Sequence, residues 1–206
     1  MGASIIILNI YIMVEIFKID LEILIIREKK MTPDINRLRN NMDKLKELIN
    51  YLDLEFVDDP VWDEPSDFSY LNERDLADPD ILANIKAMKE TNDLISWIGR
   101  DVEGYVGLWR GPENTTLSQA PIVRLDTEGQ YSIVANSIPD YIAVSCDYDE
   151  FSKNRKLLIS VGFRLSESVD DIWLSVDDIY RSANLHRGDL YNQDRVKRGL
   201  EPIDLL

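Results

Sequence analysis

The chain is nearly devoid of the side chains that most often carry nucleophilic or metal chemistry: its 206 residues hold one cysteine, Cys146, and one histidine, His186. A lone cysteine excludes an internal disulfide and a cysteine-based metal site, so the fold should be indifferent to redox state and suits a reducing cytoplasm. A lone histidine leaves Ser–His–Asp and Cys–His arrangements dependent on His186, which stands in a polar tail with no obvious partner and reads as a surface residue. Positive charge is scarce as well, with 23 Lys and Arg against 38 Asp and Glu, a net charge of −15 and a pI near 4.4. Such a balance disfavours nucleic acid and anionic membrane and favours a basic partner. Phosphate-loop chemistry is missing too, because "GRDVEG" and "GLWRG" lack the lysine and the Ser or Thr that a phosphate cradle needs. Clustered carboxylates occur in "DTEG" and "VDDPVWDE", but neither has calcium-loop spacing; a turn explains the first and a solvated loop the second. No catalytic, cofactor-binding or metal-ligating residue is therefore expected, and the chain reads as a non-enzyme.

Long apolar runs are also lacking. The early stretch "SIIILNIYIMVEIF" meets Glu15, Lys18, Asp20 and Glu22 well before the roughly 20 residues of a spanning helix. It has neither the positive n-region nor the small-residue cleavage site of a signal peptide. From Phe17 to Ile25 apolar and charged residues alternate, with Phe17, Ile19, Leu21 and Ile23 on one face, which is a strand pattern. "MTPDINRL" at Met31 reads like a natural protein start, so residues 1–30 are either an upstream-translated extension or a native edge strand. Residues 31–206 are expected to form a single domain with a helical C-terminal segment.

What is present is an acidic middle and a patterned frame around it. Between Asp53 and Glu103 fifteen acids face only Arg74, Lys86, Lys89 and Arg100, a net charge of −11. Thr32 and Pro33 open an amphipathic helix over 33–52, with Ile35, Leu38, Met42, Leu45, Leu48, Ile49 and Leu52 at helical spacing. An acidic loop follows, pinned by Phe56, Trp62, Phe68 and Tyr70. Asp78-Pro79 opens a second helix whose inner face is Ile81, Leu82, Ile85 and Met88. "DLISWIG", "GYVGLWR", "PIVRLD" and "YSIVA" then read as four strands with no helix between them, so residues 94–135 should be an antiparallel meander. Ser137 with Asp140, Asp147 with Glu150, and Ser168 with Asp171 mark helix starts. The last of these should bury Val169, Ile172, Trp173, Val176, Ile179 and Ala183. Trp97 and Trp109 belong to apolar strands and read as core. The fold class is α+β: a meander of about four strands flanked by helices.

The segment "NDLISWIGRDVEGYVGLWRGPENTTLSQAPIVRLDTEGQYSIVANSIPDYIAV" resembles the SUKH superfamily, which includes yeast cell-wall synthesis regulators and many bacterial immunity proteins. The resemblance rests on "GYVGLW" at Gly104–Trp109, on "VRLDTEG" at Val123–Gly129 and on the short helix "SIPDYIAV", and it covers roughly residues 75–160. It implies a SUKH-like fold and a protein that binds another protein. One expectation is a bacterial immunity protein neutralising a cognate protein toxin, a basic nuclease, without catalysis and without nucleic-acid or membrane partners. The alternative is a regulatory or scaffold interaction domain with no toxin. The contact residues expected from the acidic loop are Asp58, Asp59, Trp62, Asp63 and Glu64, with the aromatic as anchor and the acids as charge complement.

The N-terminus gives a direct test. A chain beginning at Met31 is expected to express and melt like the full chain. A lower melting temperature together with newly exposed apolar surface would instead assign Phe17–Ile25 to an edge strand.

Overall fold

The computed structural model describes residues 32–57, 65–146, 148–172 and 182–203. At its centre is a five-stranded antiparallel sheet in the order of the sequence. Its strands are β1 (Glu55–Phe56), β2 (Ile95–Asp101), β3 (Gly104–Trp109), β4 (Ile122–Asp126) and β5 (Tyr131–Ala135). The four expected strands are therefore present, and the short β1 adds a fifth, pairing Glu55 with Arg100 and Phe56 with Gly99.

Two hairpin turns share one chemistry. In Asp101–Gly104 and in Asp126–Gly129 the sequence is Asp-x-Glu-Gly, and in each the Asp Oδ1 accepts two backbone N–H groups. Asp101 takes those of Glu103 (2.8 Å) and Gly104 (2.9 Å); Asp126 takes those of Glu128 and Gln130, both at 2.9 Å. This is the Asx device that lets a short side chain replace a backbone turn bond. Gly129 adopts φ +80°, which a β-carbon would resist. Gly104 pairs with Asp126 in the ladder, so both turns lie at the same end of the sheet.

Alternation along the strands builds two cores. On one face Ile98, Val106, Leu108 and Ile122 meet helices α1 (Pro33–Asn40), α2 (Lys46–Leu52), α5 (Ile138–Ser145) and α6 (Phe151–Ser160). On the other, Ile95, Trp109, Val123, Leu125 and Tyr131 pack with half-buried Trp97, Tyr105 and Ile133. That face is closed by Met88 of α4 (Pro79–Asn92) and Ala183 of α7 (Ala183–Lys197). Tyr105, Gly107 and Trp109 share this second face, and the space Gly107 leaves is filled by Ile95 and Trp97 of β2. Trp97 and Tyr105 meet edge to face, their centroids 6.0 Å apart. The tryptophans of the strands are core.

Several helices differ from expectation. The helix expected over 33–52 is two: α1, capped by Thr32 Oγ1 on the Ile35 N–H at 3.2 Å, and α2. Asn41 ends α1, and its Nδ2 donates to the Arg37 carbonyl at 2.8 Å, competing locally with the helical ladder. The apolar periodicity still identifies the buried residues, because Leu45 in the intervening turn is fully buried. On α4 the buried face is Ala83, Ala87, Thr91 and Asn92, whereas Leu82 is exposed. Tyr191 of α7 packs onto Ala83 and Ala87, and small residues permit that close approach. Asp80 at the start of α4 is held by Arg195 and Arg198 near the end of α7. Ser168 and Asp171 do bond, through Ser168 N–H and Oγ, and Ile172 is buried, but 168–172 forms turns. Residues 173–181, including Trp173, Val176 and Ile179, lie outside the described residues. Ala183 belongs to a separate helix capped by Ser182. The start at Asp147 is likewise outside the described residues, and a 3₁₀ turn, Tyr148–Glu150, leads into α6. The Phe17–Ile25 stretch is also outside them.

A buried ionic knot ties this frame together. Asp101 Oδ2 accepts from Arg124 Nη2 at 2.7 Å and from Tyr141 OH at 2.6 Å, and Arg124 also pairs with Glu103. The Asp101 side chain is 1 % exposed. Replacing Asp101 by Ala should cost about 3–5 kcal/mol, because Arg124 would lose its buried partner. Tyr141→Phe should cost about 1.5–3 kcal/mol, the range for a hydrogen bond to a charged group. Urea unfolding with an unchanged m-value measures both; a Tyr141→Phe midpoint equal to that of the native chain would refute the second figure, and one lower than that of Asp101→Ala would refute the ranking.

Candidate partner-binding face

The acidic segment leaves the sheet at β1 and returns beside α4. Its first anchor is the Val57 N–H, donated to the Ile98 carbonyl at 3.0 Å. Its second is buried Pro65 followed by Ser66, whose Oγ accepts from Asn92 Nδ2 at 2.9 Å. Asn92 in turn accepts from Tyr131 OH at 2.7 Å, so the returning chain is tied through α4 to β5. The five residues expected to bind a partner, Asp58, Asp59, Trp62, Asp63 and Glu64, fall between these anchors and lie outside the described residues.

Beyond Pro65 the acidic chain is described, and it is less of a loop than its composition suggests. Phe68 is half-buried beneath Lys89 Nζ, 5.5 Å from the ring centre. Tyr70, expected to pin the loop, is 76 % exposed. A short helix, α3 (Glu73–Ala77), then rises on the surface. Asn72 Oδ1 accepts from the Arg74 and Asp75 N–H groups while Asp75 Oδ2 accepts from the Asn72 N–H, a complete capping box. That helix was not foreseen, though "NERD" before "DP" carried its signal. Asp67, Glu73, Asp78, Glu90 and Asp93 are all exposed. The Ser69 N–H held by Asp67 keeps its carboxyl below the ordinary range, so it stays charged.

Several buried polar groups have structural roles. Cys146 is buried, its Sγ donates to the Leu48 carbonyl at 3.3 Å, and burial pushes the thiol up to about 12, far from thiolate reactivity. Burial raises the hydroxyls of Tyr131 and Tyr141, with Asp101 adding to the effect at Tyr141, so both remain hydrogen-bond donors. Arg187 is buried over the second turn: Nη1 donates to the Gly129 carbonyl at 2.6 Å and the guanidinium lies 5.9 Å from the Tyr131 ring centre. Among the described residues no group of three or more His, Cys, Asp or Glu is arranged to hold a metal ion, and no helix is long and apolar enough to cross a membrane. Comparison with protein-family models, with curated proteins and with solved structures finds no match.

His186 is not the free surface residue its tail suggests. It is half-buried on α7 with its ring 5.9 Å from that of Trp109. Burial lowers its proton affinity below the ordinary value of 6.5, outweighing the opposing pull of Asp189, Glu90 and Glu113. The folded state thus binds the proton less well than the unfolded chain, and the associated stability is complete above pH 6.5 and declines as pH falls below it. The stability difference between the native chain and His186→Gln should therefore shrink between pH 7.5 and pH 5. The same difference in urea midpoint between the two chains at both pH values would contradict this.

Proposed function

We propose that the protein is an immunity protein: it binds a cognate protein toxin, a basic nuclease, and blocks it by covering its substrate cleft without making or breaking a bond. The observation that carries this reading is the acidic surplus between Asp53 and Glu103, fifteen acids against four cations, of which Asp67, Glu73, Asp78, Glu90 and Asp93 are exposed. The SUKH resemblance points the same way. Physically, an acidic face meeting a basic nucleic-acid cleft steers encounter, and the occupied cleft excludes substrate. The compartment in which toxin and partner meet is the cytoplasm on this reading, consistent with an unpaired, buried Cys146.

Binding kinetics against the toxin encoded beside the gene test it. Charge reversal at Asp58, Asp59, Asp63 and Glu64 together should slow association by roughly tenfold or more and flatten its salt dependence. Trp62→Ala should leave association nearly unchanged and speed dissociation by about tenfold or more, as the loss of an aromatic anchor does. Association rates that do not respond to the four reversals would remove the loop from the contact, and a toxin left fully active by the native chain would end the immunity reading.

A further inference from the structure

We infer that α3 and its two flanks are the anchoring element of the partner surface, and that they take a basic amphipathic segment of the partner: cationic on its rim, apolar along one face. This deepens, and rests on, the protein-binding reading above. A five-residue helix cannot hold itself in water, since nucleation costs more than so few bonds return. Yet α3 buries none of its residues, so no core contact accounts for its order. Both of its ends are fixed by local polar devices. The Asn72–Asp75 capping box holds its start. The Asp78 N–H donates to the Asp75 carbonyl at 3.1 Å, and Asp78 Oδ1 then accepts from the Asp80 N–H at 2.8 Å to begin α4.

On this stiff support the chain presents apolar side chains to solvent. Tyr70 is 76 %, Leu76 47 % and Leu82 43 % exposed, three large apolar residues along one short stretch. In the chain between them stand Glu73, Asp75 and Asp78 against Arg74, with Asp80 engaged by Arg195 and Arg198. On α4, Lys89 is drawn over Phe68 and Lys86 is paired with Glu90. Apolar anchors set among acids match a partner with the converse arrangement, and they repel an anionic lipid surface. Because the element is ordered beforehand, little conformational entropy is lost on docking.

The probe is a fluorescein-labelled helical peptide with one leucine face and one lysine face, titrated against the full chain. A scrambled peptide of the same composition controls for bulk charge. The amphipathic peptide should bind at least about tenfold more tightly than the scrambled one, as a contact with apolar anchors requires. Leu76→Ser with Leu82→Ser should weaken it by about tenfold, whereas Ile159→Ser, equally exposed on α6 over the opposite face of the sheet, should not. Should the double variant melt lower than the native chain, Tyr70→Ser, at a still more exposed position, replaces it. Equal binding of both peptides, or equal weakening by Ile159→Ser, would overturn the inference. A double variant that still neutralises the toxin with native kinetics would also overturn it while leaving the immunity reading intact. A native chain that binds the peptide yet fails against the toxin would retain this surface and end that reading instead.

Discussion

One carboxylate, Asp101, accepts four hydrogen bonds from three parts of the chain, and the arrangement of the sheet depends on it. One oxygen closes the β2–β3 turn through the Glu103 and Gly104 N–H groups; the other receives Arg124 of β4 and the hydroxyl of Tyr141 on α5. A buried charge with any of these donors missing would be costly, so turn, strand and helix must all be in place at once. The guanidinium feels the same constraint. Burial alone would lower the Arg124 proton affinity, but Asp101, with smaller contributions from Tyr141 and Glu103, raises it. Tyr141 then carries α5 onto the first core, where its ring is fully buried. From α5 the coupling continues outward, because Asp140 accepts from Ser137 Oγ at 2.7 Å and from the Ser166 N–H at 2.9 Å.

The second face is organised by different means and to a different end. There Arg187 reaches the Gly129 carbonyl, Tyr131 reaches Asn92, and Asp80 holds Arg195 and Arg198. Arg100 is likewise bound to Glu55 at 2.8 Å. These four arginines are committed to joining elements, while Asp67, Glu73, Asp78, Glu90 and Asp93 are exposed. A modest number of cations used internally leaves the outward field more one-signed than an even mixture of charges would be, which is the condition for steering a basic partner.

How far the sequence could be read follows from which forces are local. Strand alternation and Asp-x-Glu-Gly turns are local, so the meander, its faces and the core positions of Trp97 and Trp109 were legible. The apolar spacing across 33–52 was legible as a buried face but silent about the break, which rests on one asparagine side chain at Asn41. The face of α4 was misread because hydrophobicity points to Ile81, Leu82 and Ile85, while the neighbouring α7 selects small Ala83 and Ala87. His186 looked solitary since Trp109, its ring partner, lies far away in the chain. For the candidate site, composition marked the right acidic stretch but hid the short ordered helix within it. A helix without an apolar face gives no periodicity to detect, and only its capping box announced it.

Both Asp-x-Glu-Gly turns lie at one end of the sheet, while the longer connection from Arg110 to Pro121 crosses the other. A residue inserted or deleted at a tight turn would shift the register by one and send every side chain beyond it to the opposite face. Val123 and Leu125 would then exchange cores with Ile122, and Arg124 would leave Asp101. Changes of length at the exposed tip of the open connection, residues 112–114, carry no such penalty, since the ends of the connection are held by neighbouring strands. The molecule therefore has a polarity of permissible variation: one rim of the sheet is closed to insertions, and the other accepts them.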